Sequence, residues 1–174
     1  MTVDLTAKIR DIPDFPKRGI VFRDIMPLLA DPEALHETVE RLAEFAEPRK
    51  PDVVLGAEAR GFILGAALAY RLECGFVAAR KPGKLPWRTI SAKYALEYGF
   101  DALELHADAI RSGARVLVHD DLLATGGTAR AKVDLVEQLG GTVVGVAFVI
   151  ELESLNGREK LAGYDVFSLI RYAS

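Results

Sequence analysis

The segment Thr142 to Leu152, TVVGVAFVIEL, is apolar at nearly every position and closes on polar residues. A strand with one wet face alternates apolar and polar side chains, whereas one that is apolar throughout needs cover on both faces, the condition of a strand in a parallel sheet. Shorter runs of the same kind recur at Asp52–Gly56, Gly75–Ala79, Arg115–His119 and Val166–Ile170. Between them lie segments of helical length. Gly61 to Leu72 is one, and Thr128 to Leu139, with Ala131, Val133, Leu135 and Val136 at helical spacing, is another. A further helix precedes the first strand: Asp31 caps it, Pro32 occupies its first turn, and Leu35, Val39, Leu42, Ala43 and Ala46 form its apolar face to about Glu47. The alternation predicts an α/β fold, a parallel β-sheet core flanked by helices on both faces, in a single domain spanning 1–174.

Two regions interrupt this pattern. Asp11 to Arg23, DIPDFPKRGIVFR, carries two prolines ahead of the sheet and is expected to form an irregular hood within an N-terminal arm, 1–30. Lys81 to Gly99, KPGKLPWRTISAKYALEYG, is too long for a simple connector and is expected to be a mobile lid over 81–100. The longest apolar stretches fall short of the roughly 20 residues a membrane span requires. The N-terminus has no basic start followed by an apolar core, and the lone Cys74 forms no internal disulfide, so a cytoplasmic location is expected, with no membrane partner. A formal net charge of -3 offers no basic face for nucleic acid.

The chemistry is concentrated in Val116–Arg130, VLVHDDLLATGGTAR. Asp120 and Asp121 end a strand, and ligands of an open parallel sheet bind beyond the carboxyl ends of its strands. Ala124, Thr125, Gly126, Gly127 and Thr128 then form a glycine-containing loop that opens a helix, where backbone N–H groups and the helix N-terminus favour an anion. Carboxylates repel phosphate, so the acids must face another part of the same ligand. An ionised carboxylate only accepts hydrogen bonds and a vicinal diol donates two, so a ribose carrying a terminal phosphate satisfies both demands. The spacing G-x-x-x-x-G-K-[ST] and the pattern G-x-G-x-x-G after a strand are absent, which removes the signatures of nucleoside triphosphate and dinucleotide binding. An acidic strand end followed by a capped helix is the bland alternative for either half of the motif taken alone.

The segment VLVHDDLLATGGTA resembles the phosphoribosyl-pyrophosphate motif of the type I phosphoribosyltransferases. FPKRGIVFRDIMPLL (15–29), GAEARGF (56–62), RKPGKLP (80–86), YALEYG (94–99), ELESLNGREKL (151–161) and VFSLI (166–170) resemble the adenine-specific members of that family, in order along nearly the whole chain. The resemblance implies transfer of a phosphoribosyl group from phosphoribosyl pyrophosphate to adenine, giving AMP and pyrophosphate, with Mg²⁺ held mainly by substrate oxygens and water rather than by direct protein ligands. It implies a homodimer. By the same resemblance Glu97 is the acid/base group at the purine imidazole ring, and Tyr98 closes over the reacting centre. Asp120, Asp121 and Ala124 to Thr128 hold the phosphoribosyl group. Glu58, Ala59, Arg60, Arg80, Lys81 and Lys84 bind pyrophosphate, with a cis peptide expected at Glu58-Ala59, and Val21, Phe22 and Arg23 read adenine. Two positions depart from the family pattern: Ala57 stands where a larger residue is usual, and His119 where an apolar one is, its alternation with Asp120 aiming it away from the ligand. An oxopurine or orotate specificity, or a regulator that only senses phosphoribosyl pyrophosphate, are the alternatives. A regulator would be expected to add a basic surface or a helix-turn-helix segment, and neither is found.

Overall fold

The computed structural model describes residues 2–96 and 98–174. Five strands form the main sheet: β3 (Val53–Ala57), β4 (Gly75–Ala79), β7 (Arg115–Leu123), β8 (Thr142–Leu152) and β9 (Val166–Tyr172), in the order β4-β3-β7-β8-β9 and all parallel. Helix α3 (Arg60–Arg71) connects β3 to β4, and α4 (Gly127–Gln138) connects β7 to β8. Alternation along the strands builds two cores. Val116 and Val118 of β7 and Phe148 of β8 pack with Val133, Leu135 and Val136 of α4. Leu117, Ala147 and Val149 pack on the other side with Leu64 and Leu68 of α3 and with Leu42 of α2 (Pro32–Ala46). Each fully buried large apolar side chain contributes about 1.5–3 kcal/mol relative to exposure, so a face of this size fixes the register of its strand. Helix α2 begins as expected, the Asp31 carboxylate accepting from the amides of Glu33 (3.1 Å) and Ala34 (3.0 Å).

From β3 the chain proceeds through α3 to the β4 edge, and from β7 through α4 to β8 and then β9. The helices after these two neighbouring strands therefore depart on opposite faces. Their diverging N-termini open a crevice at the carboxyl ends of β3 and β7, the topological switch point where open α/β sheets bind ligands.

Three expectations from sequence are corrected. The strand expected to end at His119 runs on to Leu123, because β8 continues to pair with it through Asp120↔Phe148 and Leu122↔Ile150. The hood is not irregular: β1 (Arg10–Pro13) and β2 (Val21–Asp24) pair antiparallel, and the short helix α1 (Met26–Ala30) follows. The segment expected as a lid contains a strand of a second sheet. β5 (Thr89–Ala95) pairs antiparallel with β6 (Phe100–His106), and Ala92, Leu103 and Leu105 are buried in the core on the α4 side.

Candidate active site

A cavity of about 290 Å³ occupies the crevice. It brings together Glu58, Ala59, Arg60, Lys81, Asp120, Asp121 and the whole of Ala124–Thr128, residues expected to act together from sequence. Its floor is the α4 N-terminus. Gly126 precedes the helix with φ +84° and no side chain caps it, so the first-turn amides, which have no intrahelical acceptor, are open to a ligand. Gly126 is required twice over: its φ is one that L side chains avoid, and a Cβ there would stand 2.5 Å from the Gly157 carbonyl oxygen. The approach is mutual, since a Cβ on Gly157 would stand 2.5 Å from the Ala124 carbonyl oxygen. The turn at Gly157 is fastened by Arg158, which donates to both oxygens of the buried Glu151 (2.7 and 2.9 Å) and to the Val166 carbonyl (3.0 Å). The hairpin supports the opposite side of the loop, with Tyr94 against Gly127.

The two acids are successive residues of β7, and both line the cavity. Asp120 Oδ2 accepts from Lys132 Nζ of α4 at 2.8 Å, and its Oδ1 accepts from the Asp121 amide at 2.9 Å. Asp121 Oδ2 meets Arg60 Nε, at the first residue of α3, at 2.8 Å. Burial pushes both carboxyls up. For Asp120 the Lys132 charge and the two hydrogen bonds prevail and hold it below the usual carboxylate range. For Asp121 burial and the neighbouring Asp120 charge outweigh Arg60, and the carboxyl is pushed up to about 7. His119 does not line the cavity. It is fully buried with Nδ1 3.0 Å from the Ala147 carbonyl, and burial holds it neutral, with its pKa lowered to about 4.

The peptide between Glu58 and Ala59 is cis, as expected. Glu58 accepts from Arg80 Nε (2.7 Å) and from the Lys81 amide (3.2 Å), which ties the turn after β3 to the end of β4. Lys81 Nζ donates to Asp101 at 2.9 Å, linking that turn to β6. Other expected residues lie outside the cavity lining. Arg80 is turned to Glu58, and Lys84 is exposed in the following turn. Tyr98 is 83% exposed at the hairpin tip, and Glu97 lies outside the described residues. Val21, Phe22 and Arg23 lie in β2, joined to the site by Arg60, whose guanidinium is 4.9 Å from the Phe22 ring centroid. The Arg23 side chain is engaged elsewhere, with Asp11 at 2.6 Å and above the Tyr172 ring at 4.1 Å. Two residues were missed. Tyr94 lines the cavity beside Thr128, within a segment whose exposed positions disguise a strand. Lys132 holds Asp120 from a helix position that sequence assigns to solvent. No group of three or more His, Cys, Asp or Glu side chains suited to a metal ion is found among the described residues.

Residues 30–171 match the model of the phosphoribosyl transferase domain, which places the chain in the class that its sheet order and switch-point cavity also indicate. An adenine phosphoribosyltransferase of Rubrobacter xylanophilus is 61% identical over 95% of this chain and 90% of its own length. One of Acetivibrio thermocellus is 56% identical over 98% of this chain and 100% of its own. The crystal structure of adenine phosphoribosyltransferase from Thermoanaerobacter pseudethanolicus superposes with a TM-score of 0.95 at 55% identity, covering 97% of this chain and 98% of that one. The chain belongs to the adenine phosphoribosyltransferase branch of the phosphoribosyltransferase family.

Proposed function

We propose that this single domain transfers the 5-phosphoribosyl group of phosphoribosyl pyrophosphate to adenine, releasing AMP and pyrophosphate, and that the crevice residues divide the work as follows. The uncapped α4 N-terminus with the Ala124–Thr128 loop receives the 5′-phosphate, and this one observation carries the reading. Asp120 and Asp121 accept from the ribose hydroxyls. Ala59, Arg60 and Lys81 face the pyrophosphate, with Arg80 and Lys84 near by and Glu58 positioning Arg80. As the bond from C1′ to the pyrophosphate oxygen breaks, an oxocarbenium-like sugar forms the new bond to N9 of adenine. Glu97 takes the N9 proton, and Tyr98 on the hairpin tip shields the cation from water. Backbone groups of Val21 and Arg23 read the adenine edge while Phe22 stacks on its face.

Glu58, Asp120 and Asp121 are each paired to a cation of the protein, which fits a metal held by substrate rather than a preformed protein cage. Mg²⁺ carried by pyrophosphate oxygens and water would neutralise the leaving group. A homodimer is supported by an apolar hollow between α2 and α3, lined by Leu35, Val39, Ala67 and the 89% exposed Tyr70. By the family resemblance, Arg80 of one protomer reaches the pyrophosphate region of its partner. No helix among the described residues is long and apolar enough to cross a membrane, which agrees with a cytoplasmic enzyme.

The test is an assay of the pure protein with phosphoribosyl pyrophosphate, Mg²⁺ and each free base in turn, repeated with chelator. Adenine is expected to exceed hypoxanthine in kcat/KM by on the order of 10²–10⁴, because the oxopurine reverses the polarity of the edge that β2 reads. Equal rates with both bases would refute the adenine assignment, and no turnover with any base would favour a sensing role.

A further inference from the structure

Lys132, in the second turn of α4, is 0% exposed. The next largest side chains buried to this degree are a phenylalanine, isoleucine and leucines. A buried ammonium is costly unless paired and hydrogen-bonded, and an apolar residue of similar volume usually serves stability as well or better. Its retention therefore calls for a reason beyond packing. Both partners of Nζ lie in β7: Asp120 Oδ2 at 2.8 Å and the His119 carbonyl at 2.9 Å. Helical side chains lean toward the N-terminus of their helix, which brings Nζ from Lys132 back to the carboxyl end of β7. One helix thus offers its open amides to the cavity and grips an acid at the cavity's edge.

We infer that Lys132 is a positioning residue, holding the Asp120 carboxylate at a set place relative to the α4 N-terminus so that donor hydroxyls and 5′-phosphate are gripped as one rigid unit. The inference rests on the donor-site reading of Asp120 and of the Ala124–Thr128 loop. Each Asp120 oxygen has one protein donor, and each keeps a second acceptor position for a ligand hydroxyl. The titratable and charged groups around Asp120 are Lys132 from α4, Asp121 and the neutral His119 from β7, and Arg60 from α3, which is already paired with Asp121. Without Lys132, burial of Asp120 loses its largest counterweight, which favours the protonated form.

Lys132→Met, Asp120→Asn and the double variant test this by steady-state kinetics across pH, with melting curves as folding controls. Lys132→Met is expected to lower kcat/KM for the donor by on the order of 10²-fold, the scale of a displaced binding group. Its adenine KM should stay within about twofold of the unsubstituted protein, the size of effect expected for a distant site. Its donor kcat/KM should rise with pH more steeply than that of the double variant, in which only Asp121 of the two acids is left to ionise. A general loss of structure would not give this pH-dependent, donor-selective pattern. Donor kinetics unchanged in Lys132→Met while Asp120→Asn is impaired would overturn the inference alone. Unchanged kinetics in Asp120→Asn would overturn the donor-site reading, and the inference with it. If Lys132→Met does not fold, the double variant, which leaves no lone charge, decides. Donor kinetics equal to those of Asp120→Asn support action through Asp120, and markedly worse ones refute it.

Discussion

Gly157→Ala examines the phosphate loop from outside the cavity. Gly157 is not among the residues with positive φ, so alanine introduces no backbone strain and the effect is one of space. The added Cβ would stand 2.5 Å from the Ala124 carbonyl oxygen and 2.8 Å from Leu123 Cδ1, where ordinary contact begins at 3.4 Å. Relief requires a separation of about 0.9 Å (3.4 − 2.5) between two backbone segments. The Gly157 side resists, because Arg158 is fixed to Glu151 and to the Val166 carbonyl. The loop Ala124–Gly126 must give. A misplacement of about 1 Å at a positioning group can cost on the order of 10²-fold, so donor kcat/KM should fall by about 10–10²-fold. Overpacking of a filled site costs about 1–3 kcal/mol, which for a chain of this size lowers the melting temperature by about 2–12 °C. The discriminating assay is calorimetric binding: AMP, which carries the 5′-phosphate, should weaken by the same factor while adenine binding is unchanged. Unaltered AMP affinity in a folded variant would show that the Gly157 turn does not set the loop.

Asp121→Asn should alter stability with a defined sign. The folded carboxyl is pushed above its unfolded value, so the folded state holds the extra proton between about pH 4 and pH 7 and loses stability as pH rises through that window. The variant should therefore gain in melting temperature relative to the unsubstituted protein as pH is raised from 4 to 8, and a gap that does not widen would contradict the burial argument. Phe22→Ala should raise the adenine KM while leaving the donor KM within about twofold, measured in the same assay. Glu97→Gln should lower kcat by about 10²–10⁴ with little change in KM, and an effect confined to KM would make Glu97 a binding residue only.

The local form of the site was legible where it depends on neighbouring residues in the sequence. The loop Ala124–Thr128 is recognisable because a glycine-bearing turn opening a helix has the same hydrogen-bonding consequence in any context. The five parallel strands were readable because double-sided burial leaves continuous apolar runs. What escaped depends on partners distant in sequence. Asp120 and Asp121 belong to β7 because β8 extends alongside them, and nothing in DD announces a ladder. The β5–β6 hairpin was read as an arm because only Ala92 of β5 is fully buried, so the strand shows little apolar alternation. Lys132 has the composition of a surface residue, and only the position of Asp120 across the core makes it a buried one.

The hood has a timing imposed on it. Arg23 reaches Tyr172 and, 151 residues along the chain, the Ser174 carbonyl at 3.4 Å. Contacts of such separation form late, since most of the chain's freedom must already be lost before the two ends meet. During synthesis, which runs N-terminus first at about 5–20 residues per second, the β1–β2 hairpin emerges early and then waits for several seconds or more for its docking surface. Through that interval Phe15, Ile20 and Val21, which stay substantially exposed even in the finished protein, have no sheet behind them. The hood, made before the sheet, is thus seated only after β9.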